Sequence, residues 1–154
     1  MTKEVEKRYS RVHGGLFHEA IVTIRLDEGE KGSGVTVRCT APPTTPPQGY
    51  IEDVPENGYR HWQRGAALGA EYALEVAGEQ CRNVIVSRIQ GLTTDTNPTV
   101  VGVAAALGVW EAVGYEPTPE QLGHIKQHAG GSWRRPEPSD ALPDFHSLPE
   151  RLDP

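Results

Sequence analysis

Residues 97–114 read Asn-Pro-Thr-Val-Val-Gly-Val-Ala-Ala-Ala-Leu-Gly-Val-Trp-Glu-Ala-Val-Gly, and the fold is built around this stretch. Asn97 is a good N-cap, because its side chain can accept from an amide that a helix start leaves orphaned. Pro98 suits the first helical position, and Gly114 suits the left-handed residue that ends a helix. The spacing therefore predicts a helix from Pro98 to Val113. Val100, Val103, Leu107 and Trp110 form its apolar stripe, and Ala104, Ala105 and Ala106 widen it until most of the helix can be buried. This is the core helix.

Upstream, Asn83 to Ile89 is rich in β-branched residues and reads as a strand, with a turn from Gly91 to Asn97 before the helix. Between about Gly58 and Ala77, Trp62, Ala66, Gly69, Ala73 and Val76 recur at helical spacing, with Ala70 and Leu74 beside them. The small residues allow this helix to lie close against a sheet. Ala20, Val22, Ile24 and Leu26 alternate with Thr23 and Arg25, and after a loop from Asp27 to Gly34, Val35, Val37 and Cys39 alternate with Thr36, Arg38 and Thr40. The two segments read as an antiparallel hairpin. Residues 41–49, Ala-Pro-Pro-Thr-Thr-Pro-Pro-Gln-Gly, hold neither helical dihedrals nor a regular hydrogen-bond ladder and are expected to cross the surface as an extended connector.

Downstream, Thr118-Pro119-Glu120-Gln121 repeats the cap-then-proline signal, which predicts a short helix through about His128 that Gly130-Gly131 stops. Residues 132–154 carry too many prolines and charges for a packed element. They are either unstructured or wrap onto the domain through Trp133, Leu142, Phe145 and Leu148. The expected organisation is an α+β domain over 1–116, a short helix over 117–131 and a Pro-rich tail over 132–154. In the domain, a small β-sheet carries two main helices packed on one face.

The 154 residues hold 36% hydrophobic residues, 17 Gly and 13 Pro, which fits one core plus an unstructured remainder. A net charge of −6 argues against a strong electrostatic grip on nucleic acid, while leaving room for a local basic patch. Thr2, Lys3, Glu4 and Glu6 rule against an apolar leader, and no run reaches the roughly 20 apolar residues of a membrane span. A cytoplasmic protein with no membrane partner is expected. Cys39 and Cys81 have neither zinc-site spacing nor the numbers for a disulfide framework and read as two buried free thiols.

The order is now a Gly14-Gly15 pair, hairpin, long loop, helix, strand, turn with Asp95 and apolar helix. With Tyr59 and Arg64-Gly65 at the first helix, Val84-Ile85-Val86 in the strand, Gly91, and Asp95-Thr96-Asn97 at the second helix start, the chain resembles domain IV of elongation factor G, the ribosomal translocase. The resemblance covers about residues 9–114. It rests on order and spacing, since no single motif is specific. It implies a left-handed β-α-β crossover, against the usual right-handed rule, and a tip where the Gly-Gly loop and the Asp loop lie together. Three departures bear on function. The chain has no phosphate-binding loop ending in Lys and Ser/Thr, so no GTP hydrolysis of the parent kind and no cofactor are expected. The loop Gly91-Leu92-Thr93-Thr94-Asp95 lacks the tip His of that family, and the segment after Gly114 does not match its continuation.

At the implied tip, Arg8 and Arg11 are candidate phosphate contacts and Phe17 a stacking surface. The amides of Gly14 and Gly15 and of the helix start after Asn97 offer further anion contacts beside Thr93 and Thr94. The bland alternative is that Asp95 and Asn97 only cap a helix and the glycines only turn. The resulting first reading is a stand-alone module that binds the ribosome or another structured RNA. The second is a small-molecule enzyme in which His13 or His18 beside Asp95 transfers protons. A third is an oligomer strapped together by the tail. His124 and His128, four apart on a helix, have metal-ligand spacing, with Asp140, Asp144 or His146 as third candidates. Solvated histidines are the better reading, and no metal is expected. Trp62 is expected in the core with His61 facing water, and Arg134-Arg135 is too brief for a nucleic-acid arm.

Overall fold

The computed structural model describes residues 3–13, 16–27, 34–40, 52–78, 83–92, 95–132 and 142–147. In chain order the elements are β1 (Lys3–His13), β2 (Leu16–Asp27), β3 (Gly34–Val37), β4 (Glu52–Asp53), α1 (Arg60–Ala77), β5 (Asn83–Gly91), α2 (Pro98–Val113) and α3 (Pro119–Gly131). The Pro-rich connector, Cys81 and Arg134-Arg135 lie outside the described residues.

The sheet runs β1-β2-β5-β3 and is mixed. β1 pairs antiparallel with β2, β2 antiparallel with β5, and β3 parallel with β5, while β4 takes the far end of the β5 edge opposite Gln90 and Gly91. This corrects the expected hairpin, because Val35 and Val37 pair with Val84 and Val86 and not with β2. β5 takes the central place because it is apolar on both faces: Val84, Val86 and Ile89 are buried on one side and Ile85 on the other. The true hairpin is β1 with β2, with His13 opposite Leu16. The strand β1 was hidden in the sequence because charged residues surround its two core residues, Val5 and Tyr9. Lys7, between them, reaches α2 and pairs with Glu111 at 3.4 Å.

Both main helices cover one face of the sheet, α2 over β1 and β2 and α1 over β3 and β5, so the expected α+β arrangement holds. α2 begins and ends where its caps predict: Asn97 accepts from the Val100 amide, and Gly114 has φ 77°. Every α2 residue but Leu107, Glu111 and Val113 is buried. Trp110 donates its indole N–H to the Ala73 carbonyl at 2.9 Å, tying α2 to α1 inside the core. The helices cross at glycines. A β-carbon on Gly65 would sit 2.3 Å from the Pro98 carbonyl oxygen. α1 buries Trp62 and leaves His61 exposed, as expected.

α3 runs further than expected, through Gly130-Gly131 to Ser132. Packing explains this: Ala129, Gly130 and Gly131 are buried, and tertiary burial outweighs the modest cost of two glycines in a last turn. In the tail, residues 142–147 wrap onto the domain. Phe145 is buried against Tyr72 and His128, whereas Leu142 stays exposed; Trp133 and Leu148 are outside the described residues. No helix among the described residues is long and apolar enough to cross a membrane.

Candidate functional site

The hairpin is longer than the sheet that carries it. The last β2–β5 pair is Ala20 with Gly91, but β1 and β2 stay paired for four more positions, to His13 opposite Leu16. At about 3.3 Å per residue the arm extends about 13 Å past the end of β5. Its root is fixed to the loop before α2. The Glu19 amide donates to the Asp95 carbonyl at 2.8 Å, and the Thr96 hydroxyl donates to the Glu19 carbonyl. Thr96 Oγ1 also accepts from the Leu92 amide at 2.9 Å, while the Asp95 and Thr96 amides donate to the Leu92 carbonyl. Gly91 is required here, since a β-carbon would lie 2.5 Å from Thr96 Oγ1.

The arm root and the Asp95 loop therefore lie together. The side chains sort by strand parity. Tyr9, Arg11 and His18 are on the helix side, with Arg11 opposite His18, and Arg8 and Glu19 are on the open face. Arg8 and Arg11 thus do not form one basic patch. Arg8 pairs with Glu19 at 2.8 Å, and Glu19 is nearly buried. Arg11 is exposed, as is Val12 at 63%. Tyr9 is buried, which pushes its hydroxyl up to about 12; the neighbouring Arg11 cation pulls the other way and only partly offsets this.

His18 is 0% exposed, and the link between β2 and Asp95 is main chain to main chain. An imidazole sealed in the core is poorly placed to exchange protons with a diffusing substrate. Asn97 is buried too, with its carbonyl oxygen on the Val100 amide and its amide donating to Ser132 Oγ at 2.8 Å. One end of its side chain caps α2 and the other ties α2 to the end of α3. Gly14, Gly15, Thr93 and Thr94 lie outside the described residues, as do the side chains of His13 and Phe17.

The two α3 histidines turn towards the tail, His128 buried and His124 half-buried. His128 is buried and donates Nε2–H to the Ser147 carbonyl at 3.1 Å, and His124 does the same to the Phe145 carbonyl at 2.5 Å. They fasten the tail, because the carbonyls of an irregular segment have no ladder partner and α3 supplies two donors, one turn apart. Among the described residues no group of three or more His, Cys, Asp or Glu side chains is placed to hold a metal ion. Sequence reading missed Glu19 and Thr96. Strand parity would have exposed Glu19 as the partner of Arg8 had β1 been recognised, whereas Thr96 carries no local signal.

Two clefts lie elsewhere. One, of about 520 Å³, runs between β3 and α1 and is lined by Val35, Val37, Arg60, Gln63 and Arg64. The other, of about 320 Å³, is walled by Leu107, Trp110, Tyr115 and Leu122, with Lys7 and Glu111 at its rim. Neither touches the arm.

No protein-family model matches the chain, and no curated protein matches it. Its structure matches 32 solved chains. One is a crystal structure of a protein from Thermus thermophilus, similar with a TM-score of 0.55 and 14% identity over 86% of this chain. The chain spans about a fifth, 21%, of that protein's length. At this identity the likeness concerns the fold alone.

Proposed function

We propose that the chain is a cytoplasmic binding module of the translocase-tip type, which engages the ribosome or another structured RNA through the β1–β2 arm and without nucleotide hydrolysis. The observation that supports this reading is the arm itself. It projects four residue pairs beyond β5 and carries Arg11 and Val12 exposed. Structured RNA is recognised through shape, phosphates and unstacked bases, and a narrow two-stranded projection suits a groove or loop better than a flat face does. The sequence resemblance to elongation factor G domain IV, in which the Gly-Gly and Asp loops share one end, favours the same surface. In a chain of net charge −6, binding must rest on few cations, so Arg11 carries a large share of the phosphate contact.

The test is co-sedimentation with purified ribosomes at low and high salt. Pelleting is expected at low salt and lost at high salt. Arg11→Ala should weaken it and lower the salt slope by about one unit, with the far-ultraviolet circular dichroism unchanged. Absence of pelleting at both salt concentrations overturns the reading. A buried His18 disfavours the enzyme alternative.

A further inference from the structure

We propose that the outer edge of β1 is a pairing surface for a second copy of this chain, joined antiparallel about a two-fold axis. This rests on the sheet alone and is independent of the RNA reading. β1 is the terminal strand, and among the described residues no strand pairs with its outer edge. It is 11 residues long and runs in unbroken register with β2, without a bulge, proline or glycine. Such an edge presents a row of backbone donors and acceptors, and proteins ordinarily blunt it by shortening, bulging or proline. Shortening, bulging and proline are absent from β1, and the protection it does carry is charge, including Lys7 on the helix side. Of its two lysines, Lys3 stands at the very start of the strand, and the amine of Lys7 is drawn towards the helix side by Glu111.

Charge selects the occupant. On the open face β1 is acidic in its first half, at Glu4 and Glu6, and basic at Arg8. Antiparallel pairing about an axis at Glu6 sets Glu4 of each copy against Arg8 of the other, twice by symmetry, with the two Glu6 side chains opposite each other on the axis. Arg8 is more than half exposed while bound to Glu19, so part of its guanidinium faces outward. On the helix side, the cleft walled by Leu107, Trp110, Tyr115 and Leu122 opens beside Lys7, so apolar surface flanks the same edge.

Sedimentation equilibrium of the full chain, from low micromolar to several hundred micromolar, tests this. The wild type is expected to reach twice the chain mass. The variant Glu4→Arg with Glu6→Arg, both exposed positions, is expected to dissociate roughly tenfold or more easily, because like charges then face Arg8 across the axis. Circular dichroism checks that the variant folds. Should it not fold, amide exchange of the wild type at the two ends of the concentration range decides: β1 amides gain protection with concentration if the edge pairs. A wild type that stays monomeric, a dimer indifferent to the double charge reversal in a folded variant, or β1 exchange independent of concentration overturns the proposal.

Discussion

A β-carbon built on Gly69 would lie 1.9 Å from the carbonyl oxygen of Gly102, so α1 and α2 cross backbone on backbone at this pair. Gly65 stands one turn earlier against Pro98 in the same way. The close approach is what lets two helices share one face of a small sheet, and it leaves no slack for a methyl group.

Gly69→Ala is therefore expected to destabilise the domain by about 2–4 kcal/mol, since the obstacle is backbone and cannot rotate away. Gly123 in α3 is the control. Nothing lies within 4 Å of its β-position, so Gly123→Ala should stabilise by about 0.5–1 kcal/mol through helix propensity and unfolded-state entropy. Urea denaturation of the two variants measures both, and a Gly69→Ala domain as stable as the parent would show that the crossing can open.

Phe145 anchors the tail segment 142–147. Its ring is buried against Tyr72 and His128 and lies within 2.8 Å of where a Gly102 β-carbon would be. Phe145→Ala should cost about 3 kcal/mol and free the strap, since truncating a buried aromatic leaves a cavity. Limited proteolysis would report it as faster cleavage within 142–147; an unchanged rate would mean that the two histidine hydrogen bonds hold the strap by themselves.

Burial pushes the Cys39 thiol from 9.0 up to about 11, opposed by a hydrogen bond with the Ile89 backbone and aided by the nearby Asp53 charge. It likewise pushes the Tyr9 hydroxyl from 10.0 up to about 12. In the unfolded chain both ionise at ordinary values, so at alkaline pH the unfolded state sheds protons that the folded state keeps. The stability tied to these groups is whole below pH 9 and is lost as pH rises, to about 11 through the thiol and about 12 through the phenol. While one group alone titrates, the loss is roughly 1.4 kcal/mol per pH unit. Urea midpoints across this range should show the decline, and Cys39→Ala should remove its first part, between pH 9 and 10. In a Cys81→Ser background, Ellman's reagent should label Cys39 only on unfolding.

Much of this architecture was legible residue by residue. Asn97, Pro98 and Gly114 marked both ends of α2, because capping is a local matter of orphaned amides and backbone dihedrals. The alternation of Ala20, Val22, Ile24 and Leu26 identified the buried face of β2 for the same local reason. At the candidate tip the structure joins the Asp95 loop to the arm root at Glu19, while the Gly14-Gly15 loop lies outside the described residues; the opposed faces of Arg8 and Arg11 were not seen, because β1 was not read as a strand.

Sequence alone thus determined which segments are helices or strands where apolar periodicity is strong, and which side of each faces the core. Tertiary structure decided which strand neighbours which, why His124 and His128 turn inward to the tail, and why α3 runs on through two glycines. The physical reason is the range of the interactions. Periodicity and caps involve residues within a turn or two of each other. Strand partners and buried hydrogen bonds are instead chosen by the burial of distant segments, and that choice leaves no local pattern in the chain.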